Sequence, residues 1–183
     1  MNLELAGKSV VVTGGGSCIG RAIVLTYAEE GDSITIGDIG EAQAGKVADL
    51  ARERGAVRVV GTDITQHDQG KALMDQADAR HGGINVLLNN VGWERPMFFT
   101  QTTPELWDKI IRVNYLSVFN CTSAALEKMI PAERDSIVSI SSDASRQGEP
   151  REAVYGGTRA AVNRFMKTNA PRSAPRQSRR SRS

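Results

Sequence analysis

Two features of this 183-residue chain could handle a nucleotide. The first is the run Thr13-Gly14-Gly15-Gly16-Ser17-Cys18-Ile19-Gly20, which follows a β-branched stretch and opens an amphipathic one. A glycine turn after a parallel strand lets backbone N–H groups approach a pyrophosphate at a helix N-terminus, where the dipole favours negative charge. The second is Asp38, at the end of the next apolar run and 18 residues beyond Gly20. An acid about 20 residues past such a turn is placed to bond ribose hydroxyls. Together they point to a dinucleotide site. Taken alone, a glycine turn and a surface Asp also fit a plain strand–helix connection.

The elements that position these residues alternate. Apolar, β-branched runs at Lys8–Thr13, Ser33–Gly37, Val57–Gly61, Asn85–Asn89 and Ser136–Ile140 read as five strands. Between and after them, helical patterns cover Cys18–Glu30, Glu41–Arg54, Gln66–His81, Thr103–Met129 and Ala153–Asn169. The first helix shows Ile19, Ala22, Ile23 and Tyr27 on one face, and the second turns Ala44, Val47, Ala48 and Ala51 inward. Thr103 is placed as an N-cap with Pro104 at the first helical position. Strands alternating with helices imply right-handed crossovers and a parallel sheet covered on both faces. Runs such as VVVT and NVLLN, apolar without polar alternation, agree with that burial. The expected fold is an α/β, Rossmann-like, doubly wound parallel sheet of about five strands.

The overall charge of +2 conceals a division. Residues 171–183 hold five Arg and no acid, so residues 1–170 carry 18 basic and 21 acidic side chains. The body is slightly acidic and the basicity belongs to the tail. We expect a nucleotide-binding domain over 1–170 and a disordered Arg/Ser/Pro tail over 171–183. Five cations without interleaved aromatics make a poor nucleic-acid binder. No apolar run approaches the ~18 residues of a membrane span, and the start lacks the charged and apolar regions of a secretory signal. Two cysteines are too few for a disulfide framework or a zinc site. A reduced, cytoplasmic protein without metal, membrane or nucleic-acid partners is expected.

Further motifs then join in order. Thr13-Gly14 with Cys18-Ile19-Gly20 resembles the TGxxxGxG motif of the short-chain dehydrogenase/reductase family, and Asn89-Asn90-Val91-Gly92 its NNAG motif. Thr62-Asp63-Ile64 resembles the segment that holds the adenine, and Val113-Asn114 stands where the family has its catalytic Asn. Ser142 lies 13 residues before Tyr155, and Tyr155-Gly156-Gly157-Thr158-Arg159 resembles YxxxK. The likeness spans residues 5–170. It implies cofactor contacts from Gly14, Ser17, Cys18, Ile19, Gly20, Asp38, Asp63, Ile64, Asn90, Gly92, Tyr155 and Arg159. It also implies a catalytic set of Asn114, Ser142, Tyr155 and Arg159. Tyr155 would exchange a proton with the substrate oxygen, Ser142 would orient that oxygen, and Asn114 would hold a water. A free tyrosine titrates near ~10, so it needs a neighbouring cation to work near neutrality. The implied reaction interconverts a secondary alcohol and a ketone. Asp38 would bond both ribose hydroxyls and repel a 2′-phosphate, so NAD is expected over NADP.

Three departures qualify the likeness. Arg159 replaces the family's Lys with a bulkier, forked cation. Cys18 replaces a glycine, which puts a Cβ near the pyrophosphate path. The family continues into two further strands and a substrate loop that do not follow here, so a C-terminally shortened domain with an exposed fifth strand is expected. The alternative function is a catalytically impaired chain that at most binds NAD(H). The segments Asn89–Trp93 and Ser142–Tyr155 resemble members acting on alicyclic hydroxyacyl-CoA thioesters, with Trp93 and Arg95 where members line the pocket. In relatives the helices over Thr103–Met129 and Ala153–Asn169 build a homo-oligomer interface; residue types alone do not separate that role from a buried face.

Overall fold

A computed structural model describes residues 6–133 and 136–169. The tail over 171–183 lies outside the described residues. Five strands form one sheet: β1 (Ser9–Thr13), β2 (Ser33–Asp38), β3 (Ala56–Gly61), β4 (Val86–Asn89) and β5 (Ile137–Ser139). All adjacent pairs are parallel and the order is β3-β2-β1-β4-β5. The helices are α1 (Cys18–Glu29), α2 (Glu41–Ala51), α3 (His67–His81), α4 (Pro104–Ile111), α5 (Ser117–Met129) and α6 (Ala153–Asn169).

The two-residue period of β1 explains its unbroken apolar run. Val10 and Val12 pack into one core with Ile34, Ile36, Val24, Ala28, Val47 and Ala48. Val11 points the other way, into a second core with Leu73, Met74, Leu87, Cys121, Ala125 and Met129. A central strand with helices on both sides has no polar face to offer. β1 pairs with β2 on one side and β4 on the other, so strand order reverses between β1 and β4. In open α/β sheets the ligand crevice lies outside the carboxyl ends of the strands at that reversal.

The inward face of α2 is as expected: Ala44, Val47, Ala48 and Ala51 are all buried. The face of α1 is rotated from expectation. Gly20, Val24 and Ala28 are buried there, whereas Ile19 is 57% exposed. Gly20 goes inward because the helix start presses against the glycine turn, which a Cβ there would strike at Gly14 O. β5 pairs with β4 alone among the described residues, and Val138 is 42% exposed on it.

The single helix expected over Thr103–Met129 is interrupted. Thr103 does cap α4, its hydroxyl accepting from the N–H of Leu106, with Pro104 following. Residues Arg112–Leu116 then form a π turn, in which the N–H of Ser117 reaches back to the carbonyl of Arg112. Two side chains take over carbonyls of this region. Asn114 Nδ2 donates to Ile110 O at 2.8 Å, and Ser117 Oγ donates to Val113 O at 2.6 Å. Such local side-chain bonds compete with the regular backbone ladder.

At the opposite end of the sheet, Asp32 is 1% exposed. Its Oδ1 accepts from the N–H of Lys8 at 2.9 Å, while Oδ2 has no partner among the described residues. Burial holds this carboxyl above the usual Asp range, opposed by the Lys8 N–H. The folded chain therefore binds this proton more tightly than the unfolded chain. The stabilisation is complete below the ordinary Asp range and is lost as pH rises through the raised folded value. Asp32→Asn should raise stability by about 1 kcal/mol at neutral pH, with the gain shrinking in acid. Urea unfolding of both proteins across pH checks this; a gain independent of pH would contradict it.

Candidate active site

The β1–α1 connection is built on close backbone approach. Gly14 has φ +67°, a left-handed conformation that side chains disfavour. Its N–H donates to Gly37 O at 2.7 Å. A Cβ on Gly20 would stand 2.0 Å from Gly14 O, so only glycine lets α1 start this near the turn. Asn90, just past β4, seals the arrangement. Its Nδ2 donates to Thr13 O at 3.1 Å and Gly14 O at 3.0 Å, and its N–H donates to Thr13 Oγ1 at 3.1 Å. Ser17 caps α1 without a side-chain hydrogen bond to the first turn.

Asp38 ends β2 with both carboxylate oxygens aligned. Oδ2 accepts from Gly16 N–H at 2.9 Å and Oδ1 from Gly40 N–H at 2.8 Å. Each oxygen keeps capacity for a further donor. Asp63 is held differently: Oδ1 accepts from the N–H and hydroxyl of Thr65, at 3.0 and 2.7 Å. Ile64 beside it is 6% exposed.

The other half of the site gathers around Tyr155, in the first turn of α6. Arg159 follows one turn later and is 3% exposed. Its guanidinium carbon lies 5.3 Å from the centroid of the Tyr155 ring. Nη1 donates to Ile140 O at 3.2 Å and Nη2 to Val91 O at 3.3 Å, whereas Nε has no partner among the described residues. A Cβ on Gly92 would meet Nη2 at 2.0 Å, so the glycine makes room for the fork. Arg159 thus braces the ends of β4 and β5 as well as bringing charge. Ser142 caps a short turn over Asp143–Ser145, its Oγ accepting from Ala144 N–H at 3.3 Å.

These parts border one cleft of about 540 Å³, a size ordinary for a cofactor or small-molecule site. Gly14, Ser17, Cys18, Ile19, Asp38, Asp63, Ile64, Asn90, Gly92, Ser142, Tyr155 and Arg159 all line it. Two expected residues do not. Gly20 is buried under the turn, and Asn114 is fully buried in the π turn. Asn114 Oδ1 accepts from Trp93 N–H at 3.1 Å, and its Nδ2 donates to Trp93 O at 2.6 Å. With both Nδ2 hydrogens engaged, its carboxamide fixes the segment after β4. Trp93 lines the cleft and Arg95 lines a smaller recess beside Tyr155. Glu94, between them, lines both and was missed from the sequence, where a lone acid in a loop carries no pattern.

Residues 8–179 match the short chain dehydrogenase family. The 3-oxoacyl-acyl-carrier-protein reductase FabG of Thermotoga maritima is 33% identical over 175 residues, which is 95% of this chain and 71% of that protein. The corresponding reductase of Chlamydia muridarum is 34% identical over 170 residues, 91% of this chain and 68% of its own length. An NAD+-bound xylitol dehydrogenase superposes with a TM-score of 0.90 at 27% identity, over 93% of this chain and 66% of that one. A 7α-hydroxysteroid dehydrogenase complexed with NADH and a 7-oxo bile acid gives 0.89 at 26% identity, over 94% and 69%. The chain belongs to the short-chain dehydrogenase family, oxidoreductases that act on CH–OH groups and use NAD(P)(H).

Cys18 is exposed in the cleft at the first position of α1 with φ +45°. A non-glycine residue in the left-handed region is strained by roughly 1–2 kcal/mol. Cys18→Gly should therefore stabilise the protein by about 1 kcal/mol, read as a raised urea midpoint. An unchanged or lowered midpoint would show that the turn tolerates the side chain.

Proposed function

We propose that the chain binds NAD(H) in this cleft and interconverts a secondary alcohol and its ketone. One observation carries the reading: a glycine turn, a ribose-side carboxylate and a Ser–Tyr–Arg set border a single cleft at the strand reversal. The residues fit a dinucleotide. The tight Gly14–Gly20 approach leaves backbone at the start of α1 for a pyrophosphate, and Asp38 keeps acceptor capacity on both oxygens for ribose hydroxyls. When bound, the nicotinamide supplies hydride chemistry that no side chain provides.

The side chains of this chain do the rest. Tyr155 exchanges the proton of the substrate oxygen, and the Arg159 guanidinium lies 5.3 Å from the centroid of its ring. Ser142 orients that oxygen from the end of β5. Asn114 acts as a positioning residue through Trp93. Asp63 and Ile64 border the adenine side. The anchored Asp38 carboxylate opposes a 2′-phosphate, and Ile39 and Gly40 bring no cation to offset it, which favours NAD over NADP. The expected partners are a small alcohol or ketone and a second copy of the chain. Reduced thiols at exposed Cys18 and at Cys121, which burial pushes to about 12, suit the cytoplasm.

Arg159 favours a second reading, that of a nucleotide binder with weak turnover. Its fork is committed to two carbonyls, and a guanidinium does not titrate near neutrality. The two readings separate by assay of the full chain. NADH production from a panel of cyclic secondary alcohols is followed beside fluorescence titrations with NADH and NADPH. NADH should bind at least about tenfold more tightly than NADPH, and Asp38→Ala should narrow that gap; equal affinities would overturn the NAD assignment. Arg159→Lys should raise kcat by about tenfold, equivalent to ~1.4 kcal/mol. No gain would remove Arg159 as the limit on activity.

A further inference from the structure

Beside the nucleotide cleft lies a recess of about 10 Å³, close to the room one water or hydroxyl needs. Met97, Phe99, Ile110 and Val154 make much of its wall. Two residues line both the recess and the cleft: Tyr155 and Glu94. Glu94 Oε2 is buried and has no hydrogen-bond partner among the described residues. Burial and the like charge of Glu152 hold its carboxyl above the usual Glu range, with Arg159 pulling the other way.

The segment that carries Glu94 is held firmly. Asn114 grips both main-chain polar groups of Trp93, at 3.1 and 2.6 Å. Lys109 Nζ sits 3.8 Å from the centroid of a Trp93 ring. On the other side, Met97 N–H donates to Arg151 O at 2.9 Å, and Arg151 Nη2 donates to Pro96 O at 3.3 Å. These contacts fix the backbone on both sides of Glu94, and a buried carboxylate oxygen there without a donor is an acceptor prepared for a ligand group.

We propose that Glu94 is a specificity-determining residue of this site, its free Oε2 accepting a hydrogen bond from a second hydroxyl adjacent to the carbinol presented to Tyr155. The substrate class is then vicinal diols and their α-hydroxyketones. The inference rests on the oxidoreductase reading above. A site built to bond a hydroxyl discriminates strongly against the analogue that lacks it, since the buried acceptor is then left unpaired.

The test compares kcat/KM for a vicinal cyclohexanediol and for cyclohexanol, using the full chain with NAD+. Wild type should prefer the diol by at least about tenfold, mainly through KM. Glu94→Leu should bring the ratio close to one, and Glu94→Gln, whose carbonyl still accepts, should keep part of it. Glu94→Ala carries the leucine expectation should that variant not fold. A wild type without preference, or a preference untouched by these substitutions, overturns the proposal. Absence of all turnover defeats the oxidoreductase reading instead. Saturation-transfer NMR on the NADH-loaded chain then decides Glu94: diol binding lost in Glu94→Ala supports it, and diol binding absent or unaltered overturns it.

Discussion

The carboxamide of Asn90 bridges the carbonyls of Thr13 and Gly14, and the nucleotide end of the molecule depends on that contact. It joins the end of β4 to the end of β1, where the strand order reverses. It works only because Gly14 adopts φ +67° and Gly20 has no Cβ to strike Gly14 O. The turn is thereby held at the C-terminal edge of the sheet with α1 starting against it. Asp38 extends the same bracing to β2 by accepting from Gly16 in the turn. A rigid frame of backbone contacts precedes any ligand, and rigidity of this kind reduces the ordering a nucleotide would otherwise have to induce.

The Tyr155 side of the cleft hangs on a second constraint, the π turn over Arg112–Leu116. Side-chain bonds from Asn114 and Ser117 to nearby carbonyls accompany it. They let Asn114 lie fully buried and still reach Trp93. π turns within helices recur at functional sites because they re-aim a side chain without ending the helix. Arg159 closes the same region from the far side, tying the segments after β4 and β5 to α6. Glu94 follows directly on Trp93, which Asn114 holds.

What could be read from the sequence follows physical lines. The alternation of apolar strands with amphipathic helices, the buried Ala44–Ala51 face and the Thr103 cap are local signals, and each was legible. The turn and Asp38 stood out because a pyrophosphate and a ribose ask for those residue types at that separation, whereas Ser142 and Tyr155 entered only through the resemblance to a family motif; the fold brings Gly14, Asp38, Ser142 and Tyr155 to one cleft. The break in the long helix was not. It arises from side chain–carbonyl competition at Asn114 and Ser117, which leaves no mark on hydrophobic periodicity. The inward face of α1 was misplaced because close approach to the turn puts Gly20 inward and leaves the larger Ile19 exposed. Glu94 stayed hidden because its significance comes from burial without a partner, a property of the packed fold.

Hydrogen exchange of the full chain with and without NADH tests the central claim most directly. The account predicts slowed amide exchange on NADH binding in three segments far apart in sequence: the turn and start of α1 around Gly14–Gly20, the end of β2 at Asp38–Gly40, and Asn90–Glu94 after β4. Amides at the start of β2 near Asp32, on the opposite edge of the sheet, should exchange unchanged. Exchange unaffected by NADH at saturating concentration, or protection confined to segments away from the strand reversal, would contradict it.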